Sequence, residues 1–271
     1  MVPLVNVVII AGMLVVVPAG LQLIGAPRAV RAVWLAGAVP GAVSLWLPRG
    51  PVAVTLAVLY ALATAAPALH AAARLARRRS LAPREVAILT ALVTPAVAGV
   101  SLVWERAGHP LLGFKPAILA LTVAHFHYAG FAAALVAGLV CRATGDGVAA
   151  RAAALAVPGG TLLVLAGYFA GDWAELAGAV VLTAGMWLVG LLTWTDVRRR
   201  APDPLTRALL TVSAAVLAAT MTLALSWALG EATGLPHPSV EWMAATHGVC
   251  NAAGFALCGL AAWRRLRPRP L

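Results

Sequence analysis

The sequence predicts an all-α polytopic bundle of about nine transmembrane helices, and three observations carry that prediction. Of the 271 residues, 62% are hydrophobic and only 11% charged, about half the charged share of a soluble domain. Apolar runs long enough to cross a bilayer recur along the whole chain. The runs are continuously apolar rather than alternating, so the period-two pattern of a membrane barrel is missing. Helices remain as the element that satisfies its own backbone in hydrocarbon. No polar stretch is long enough for a separate soluble domain, and the chain reads as one transmembrane domain, 1–271.

The elements follow from the breaks between the runs. The first span, 3–25, ends at Gly25-Ala26-Pro27, and the second, 29–47, ends at Pro48-Arg49-Gly50. The third, 51–73, starts on Pro51 and stops at a basic run that includes Arg77-Arg78-Arg79. The fourth, 84–104, is bounded by Pro83 and by Glu105-Arg106, and the fifth, 116–141, by Lys115 and Arg142. The sixth and seventh, 152–170 and 174–195, are parted by Gly171-Asp172-Trp173. The eighth, 205–230, follows Asp203-Pro204, and the ninth, 240–263, lies between Pro238 and Arg264-Arg265. Proline at the first turn suits a helix start, where its missing N–H has no intrahelical partner to lose.

Loop charge orients the bundle. Of the 20 Lys and Arg, 17 fall in alternate loops and the C-terminal tail on one side, and only Arg49, Arg106 and Lys115, 3 in all, on the other. The positive-inside rule puts the 17 in the cytoplasm, hence the N-terminus outside and the C-terminus inside a cell (plasma) membrane crossed many times. The net charge of +11 is therefore a topology signal beside anionic lipid and does not indicate nucleic acid. The N-terminus has no basic region of the kind a cleaved signal peptide carries. Cys141, Cys250 and Cys258 lack metal or disulfide spacing and read as small packing residues. Trp46, Trp104, Trp173, Trp194, Trp242 and Trp263 fall near predicted helix ends, where interfacial aromatics belong. No internal repeat stands out.

The candidate site is read from polar residues at depth. Ala124-His125-Phe126-His127-Tyr128 lies in the middle of the fifth span, with no Lys, Arg, Asp or Glu between Lys115 and Arg142. An ionisable group there is costly and has a specific task or partner. Counted from Lys115, the two histidines lie roughly 15–18 Å in. Being two apart, they point about 200° apart around the helix and cannot share one small pocket. Thr246-His247-Gly248-Val249-Cys250-Asn251 repeats the anomaly in the ninth span. His247 lies about 9 Å below Glu241, and Asn251, four residues on, shares its face. Glu105, Asp172, Glu175, Glu231 and Glu241 gather at outer helix ends almost without basic partners, whereas Glu85, Asp146, Asp196 and Asp203 lie beside cytoplasmic arginines. An outward-facing cavity would collect His125, His127, Asp172, Glu241 and His247 as catalytic groups. Asn251, Tyr128, Tyr168, Glu105 and Trp173 would then contact substrate. His109 sits in an outer loop that could cap such a cavity; His70 and His237 read as solvated at the interfaces. The alternative for each buried histidine is interhelical hydrogen-bonding glue.

The Ala-His-Phe-His-Tyr-Ala-Gly-Phe stretch at 124–131, with Thr246-His247-Gly248, Asn251-Ala252-Ala253-Gly254-Phe255 and Trp263, resembles the YndJ-like family of bacterial membrane proteins. The resemblance implies the helical architecture and marks His125, His127, His247 and Asn251; it names no reaction. Val123-Ala124-His125-Phe126-His127-Tyr128 also looks like the His-x-His helix of haem-copper oxidase catalytic subunits, where two histidines hold haems on opposite faces. The copper motif and adjacent His pair of that family are missing, which leaves bis-histidine haem or a metal as one alternative.

The leading expectation is a membrane-embedded enzyme that acts on a lipophilic small molecule by acid–base chemistry, by isomerisation, cyclisation or epoxide opening. It needs no cofactor and no metal. The chain has no phosphate loop and no Gly-x-Ser-x-Gly elbow. The alternative is a transporter of a small hydrophobic or cationic molecule. The bilayer and a lipophilic substrate are the expected partners, and the oligomeric state is left open.

Overall fold

The computed structural model describes residues 2–145 and 147–266. Asp146 and the tail arginines Arg267 and Arg269 lie outside the described residues. Nine helices account for most of the described chain. They are α1 Val2–Ile24, α2 Arg28–Ser44, α3 Pro51–Arg78, α4 Pro83–Ala107, α5 Pro116–Thr144, α6 Val148–Ala170, α7 Asp172–Arg200, α8 Pro204–Thr233 and α9 Val240–Arg265. Eight are long and apolar enough to span a membrane; α2, with 17 residues, is the short one and still lies within the range of spanning lengths. The protein is an all-α polytopic membrane protein, and among the described residues it has no β-strand. The predicted spans match these helices within a few residues, the main difference being that arginines continue the last turns of α3, α7 and α9.

The chain folds as two compact units, residues 2–80 with 89–132, and residues 81–88 with 133–266. In the first unit, polar side chains bond to the backbone of neighbouring helices. The Trp34 indole of α2 donates to the Met13 carbonyl at 2.8 Å, the Tyr128 hydroxyl of α5 to the Val8 carbonyl at 2.9 Å, and the Asn6 amide to the Leu45 carbonyl at 2.9 Å. Met13 lies in a π-helical turn of α1, Gly12–Val16, and Val8 one turn before it. In that wider turn the N–H reaches back five residues, which disrupts the ordinary carbonyl ladder.

The second unit rests on a glycine seam. Gly160 and Gly167 of α6 face α7, and Gly178 and Gly185 of α7 face α6; a Cβ added at Gly160 would lie 2.4 Å from the Leu182 nitrogen, and one at Gly178 2.5 Å from that of Val164. Lipid tails offer no hydrophobic drive between helices, so backbone contact through small residues is what holds such a pair. At its start Asp203 caps α8. Its carboxylate accepts from the Thr206 backbone N–H at 2.9 Å and the Thr206 hydroxyl at 2.8 Å, and Arg265 of α9 pairs with it at 3.1 Å. Arg265 also donates to the Thr206 hydroxyl at 2.9 Å, so the ring of contacts joins the start of α8 to the end of α9.

Of the six tryptophans expected at interfaces, five are exposed, from Trp104 at 40% to Trp173 at 67%. Trp263 is 2% exposed and belongs to the core, a correction to its interfacial reading.

The Thr206 backbone N–H, then its hydroxyl and Arg265, hold the Asp203 carboxyl down to about 2. A depressed carboxyl contributes stability that is complete above its unfolded value of about 4 and fades as pH falls through the folded one. The gap in unfolding temperature between the native chain and Asp203→Ala should therefore be constant above about pH 4 and shrink towards about pH 2, as a detergent-solution melting series would record.

Candidate functional site

The first motif is built into the core of the first unit. His127 and Tyr128 lie on a second π-helical segment, Phe126–Ala132 of α5. His127 is 0% exposed. Its Nε2 lies 2.6 Å from the Tyr60 hydroxyl of α3, and its ring meets Trp34 and Tyr60 edge-on, with centroids 6.5 and 6.1 Å away. On the other side Gly12 of α1 closes against the ring. A Cβ there would lie 2.6 Å from His127 Nδ1, an atom with no hydrogen-bond partner among the described residues. Tyr60, Trp34 and Gly12 thus wall in the imidazole from three helices. This is the interhelical-glue arrangement, and a haem or metal could reach neither ring nitrogen without parting these helices. Tyr128, expected to touch substrate, spends its hydroxyl on Val8. His125, two residues away, is half-buried and edge-on to Phe126 at 5.8 Å.

Glu105 is also accounted for. The expectation of an outer acid without basic partners is overturned here, because two of the three basic residues on that side converge on this carboxylate. Arg49 reaches Oε1 at 2.8 Å, and Arg106 grips it with Nε and with a second nitrogen at 2.7 Å. Arg106 also donates to the Ser44 and Leu47 carbonyls at 3.1 and 3.3 Å, so the cluster caps the end of α2. Glu105 is 2% exposed, and the ion pairs are what make its burial affordable.

The second motif is different. His247 is half-buried on a π-helical segment of α9, Ala244–Gly248, and Asn251 opens the next one, Asn251–Leu257. The expected His247–Asn251 pairing is present and includes a third residue, Thr220 of α8, which residue spacing could not reveal. His247 Nδ1 lies 2.8 Å from the Thr220 carbonyl, and a carbonyl only accepts, so Nδ1 carries the hydrogen. Nε2 is then the lone-pair nitrogen. The Asn251 amide donates to the His247 carbonyl at 3.0 Å and lies 3.3 Å from Nε2, and its oxygen accepts from the Thr220 hydroxyl at 3.1 Å. One residue of α8 thereby fixes both the tautomer of the imidazole and the orientation of the amide.

The remaining expected residues lie at the end of the second unit where α6 meets α7 and α8 meets α9. Asp172 and Trp173 are exposed at the start of α7, and Glu241 is exposed in the first turn of α9. Tyr168 packs with Leu176 and Trp227 around Val164, Ala179 and Ala228 and is within electrostatic range of Glu175, which also senses Asp172 and Glu231. His237, expected to be solvated, is instead paired with Glu231 at 3.0 Å. Among the described residues no cluster of three or more His, Cys, Asp or Glu could hold a metal ion.

Helix content, spans and buried polar side chains define a multi-pass helical membrane protein, with a half-buried imidazole–amide cluster on α8 and α9. The model of the YndJ-like protein family matches residues 7–255, and the chain belongs to that family. No curated protein and no solved structure matches it.

The wall around His127 is directly testable. Gly12→Ala should destabilise the protein by about 1–3 kcal/mol, the usual cost of overpacking. The added cost should largely vanish in a His127→Ala background, a coupling that a double-mutant cycle of unfolding midpoints would measure.

Proposed function

We propose that this protein is a membrane-embedded enzyme that acts on a lipophilic small molecule by acid–base chemistry, with His247 as the base. The observation that carries the reading is the 2.8 Å bond from His247 Nδ1 to the Thr220 carbonyl, which leaves Nε2 as an oriented proton acceptor in a half-buried position. A neutral imidazole with one nitrogen committed to a backbone carbonyl is the arrangement a general base requires. Asn251, held by Thr220, supplies an amide beside that nitrogen to orient a substrate oxygen.

In the simplest reaction Nε2 takes a proton from one substrate carbon, the resulting imidazolium exchanges it with water, and a solvent-derived proton is delivered to another carbon. The substrate is isomerised, with no net gain or loss of atoms and no electron acceptor. Cyclisation and epoxide opening use the same proton economy with an added acid, for which Glu241, about 9 Å above on the same helix, is the nearest candidate by sequence.

Transport is the second reading, and one observation favours it. Two π-helical segments follow each other in α9, at Ala244–Gly248 and Asn251–Leu257, and transporters place binding sites where a spanning helix departs from regular geometry.

The two readings part in heavy water. The purified protein would be incubated with a total membrane lipid extract in D2O, and the extract analysed by mass spectrometry. An acid–base isomerase introduces solvent deuterium into its substrate, and His247→Gln should slow that uptake by roughly 10²–10⁴-fold. If no lipid gains deuterium with the native protein, while His247→Gln alters only the retention of a bound lipid, the enzyme reading fails and transport takes its place.

A further inference from the structure

The loop between α8 and α9 is closed by a contact whose chemistry is unusual for a neutral histidine. His237 folds back onto the end of α8. Its Cβ and ring lie against Gly230, where an added Cβ would come within 2.4 Å, and the ring stands edge-on to Trp227 at 6.3 Å and 89°. Both ring nitrogens face oxygen. Nδ1 is 3.1 Å from the Pro238 carbonyl, and Nε2 is 3.0 Å from Glu231 Oε1. A carbonyl and a carboxylate are both acceptors, whereas a neutral imidazole has one N–H. The closed arrangement therefore holds one proton more than the neutral histidine and the ionised glutamate together possess.

We propose that His237 and Glu231 form a proton-operated latch that fastens the α8–α9 loop, and with it the start of α9, to the end of α8. The extra proton sits on the imidazole as its second N–H or on the carboxyl. Either way the closed latch binds one proton more than the open one, so acid closes it and base releases it.

The surrounding groups agree with that sign. Glu231 belongs to α8, and Glu175 of α7 lies within electrostatic reach both of Asp172 and of Glu231. The Tyr168 phenol of α6 packs beside Trp227, and Glu241 is exposed on the first turn of α9. The sequence has no Lys or Arg between Arg151 and Arg198, or between Arg207 and Arg264, so these segments bring the acids no permanently charged basic partner. Opening the latch costs the ring contact with Trp227 and the seat on Gly230. Gly234, which ends α8 in the left-handed region at φ 74°, is the point where the loop turns away. The latch does not rest on any role of His247, which lies on α9 itself.

The test is the mobility of a nitroxide at Leu235, an exposed loop position. It is attached through Leu235→Cys in a chain whose three native cysteines are replaced by alanine, and read by electron paramagnetic resonance between about pH 5 and about pH 8, the range in which imidazole titrates. The mobile component of the spectrum should grow several-fold as pH rises. His237→Gln should be mobile throughout. Glu231→Gln should stay immobile throughout, because its amide N–H satisfies Nε2 of a neutral ring while Nδ1–H serves Pro238. A native spectrum that does not change with pH overturns the proposal, and so does a pH response that persists in either variant.

Discussion

A polar hydrogen carried into hydrocarbon must find an acceptor, and in this protein most of the decisive ones find a backbone carbonyl of a neighbouring helix. Trp34 uses Met13, Tyr128 uses Val8, Asn6 uses Leu45, Ser213 uses Phe255, Arg106 uses Ser44 and Leu47, and His247 uses Thr220. An unsatisfied group at that depth is expensive, so each bond fixes a helix pair in register as well as in contact. Between α6 and α7, glycine against backbone performs the same task.

The same constraint separates two histidine motifs that look alike in the sequence. His127 is enclosed by Gly12, Trp34 and Tyr60, and its hydrogen-bonded nitrogen is taken by a phenol. Its task is to hold α1, α2, α3 and α5 of the first unit together. His247 commits one nitrogen to a carbonyl and leaves the other at a half-buried surface with Asn251. Position along the helix gave both histidines the same claim to function. What divides them is which nitrogen is covered, and by what.

The helices were legible because long apolar runs and arginine-rich ends are properties of the chain itself, and the prolines and glycines between runs mark the turns. The pairing of His247 with Asn251 was legible for a similar reason, since residues four apart share a face. Thr220 was not, because a partner on another helix depends on packing that spacing cannot supply. Glu105 was misread because a list of charges by side does not show that Arg49 and Arg106 turn to the same carboxylate. Trp263 was misread because its place near a helix end says nothing about which face of α9 it occupies. His237 lacked any signal beyond two flanking prolines. The π-helical segments under His127, His247 and Asn251 are also silent in hydrophobic periodicity, since one widened turn scarcely alters a uniformly apolar pattern.

The central claim is that His127 is enclosed structure and His247 an accessible base. It is tested most directly by histidine modification with diethyl pyrocarbonate on the folded, detergent-solubilised protein, with peptide mapping by mass spectrometry. His247 should be modified while the protein remains folded, and His127 should react only after unfolding. Modification of His127 in the folded protein at a rate comparable to that of His247 would contradict it.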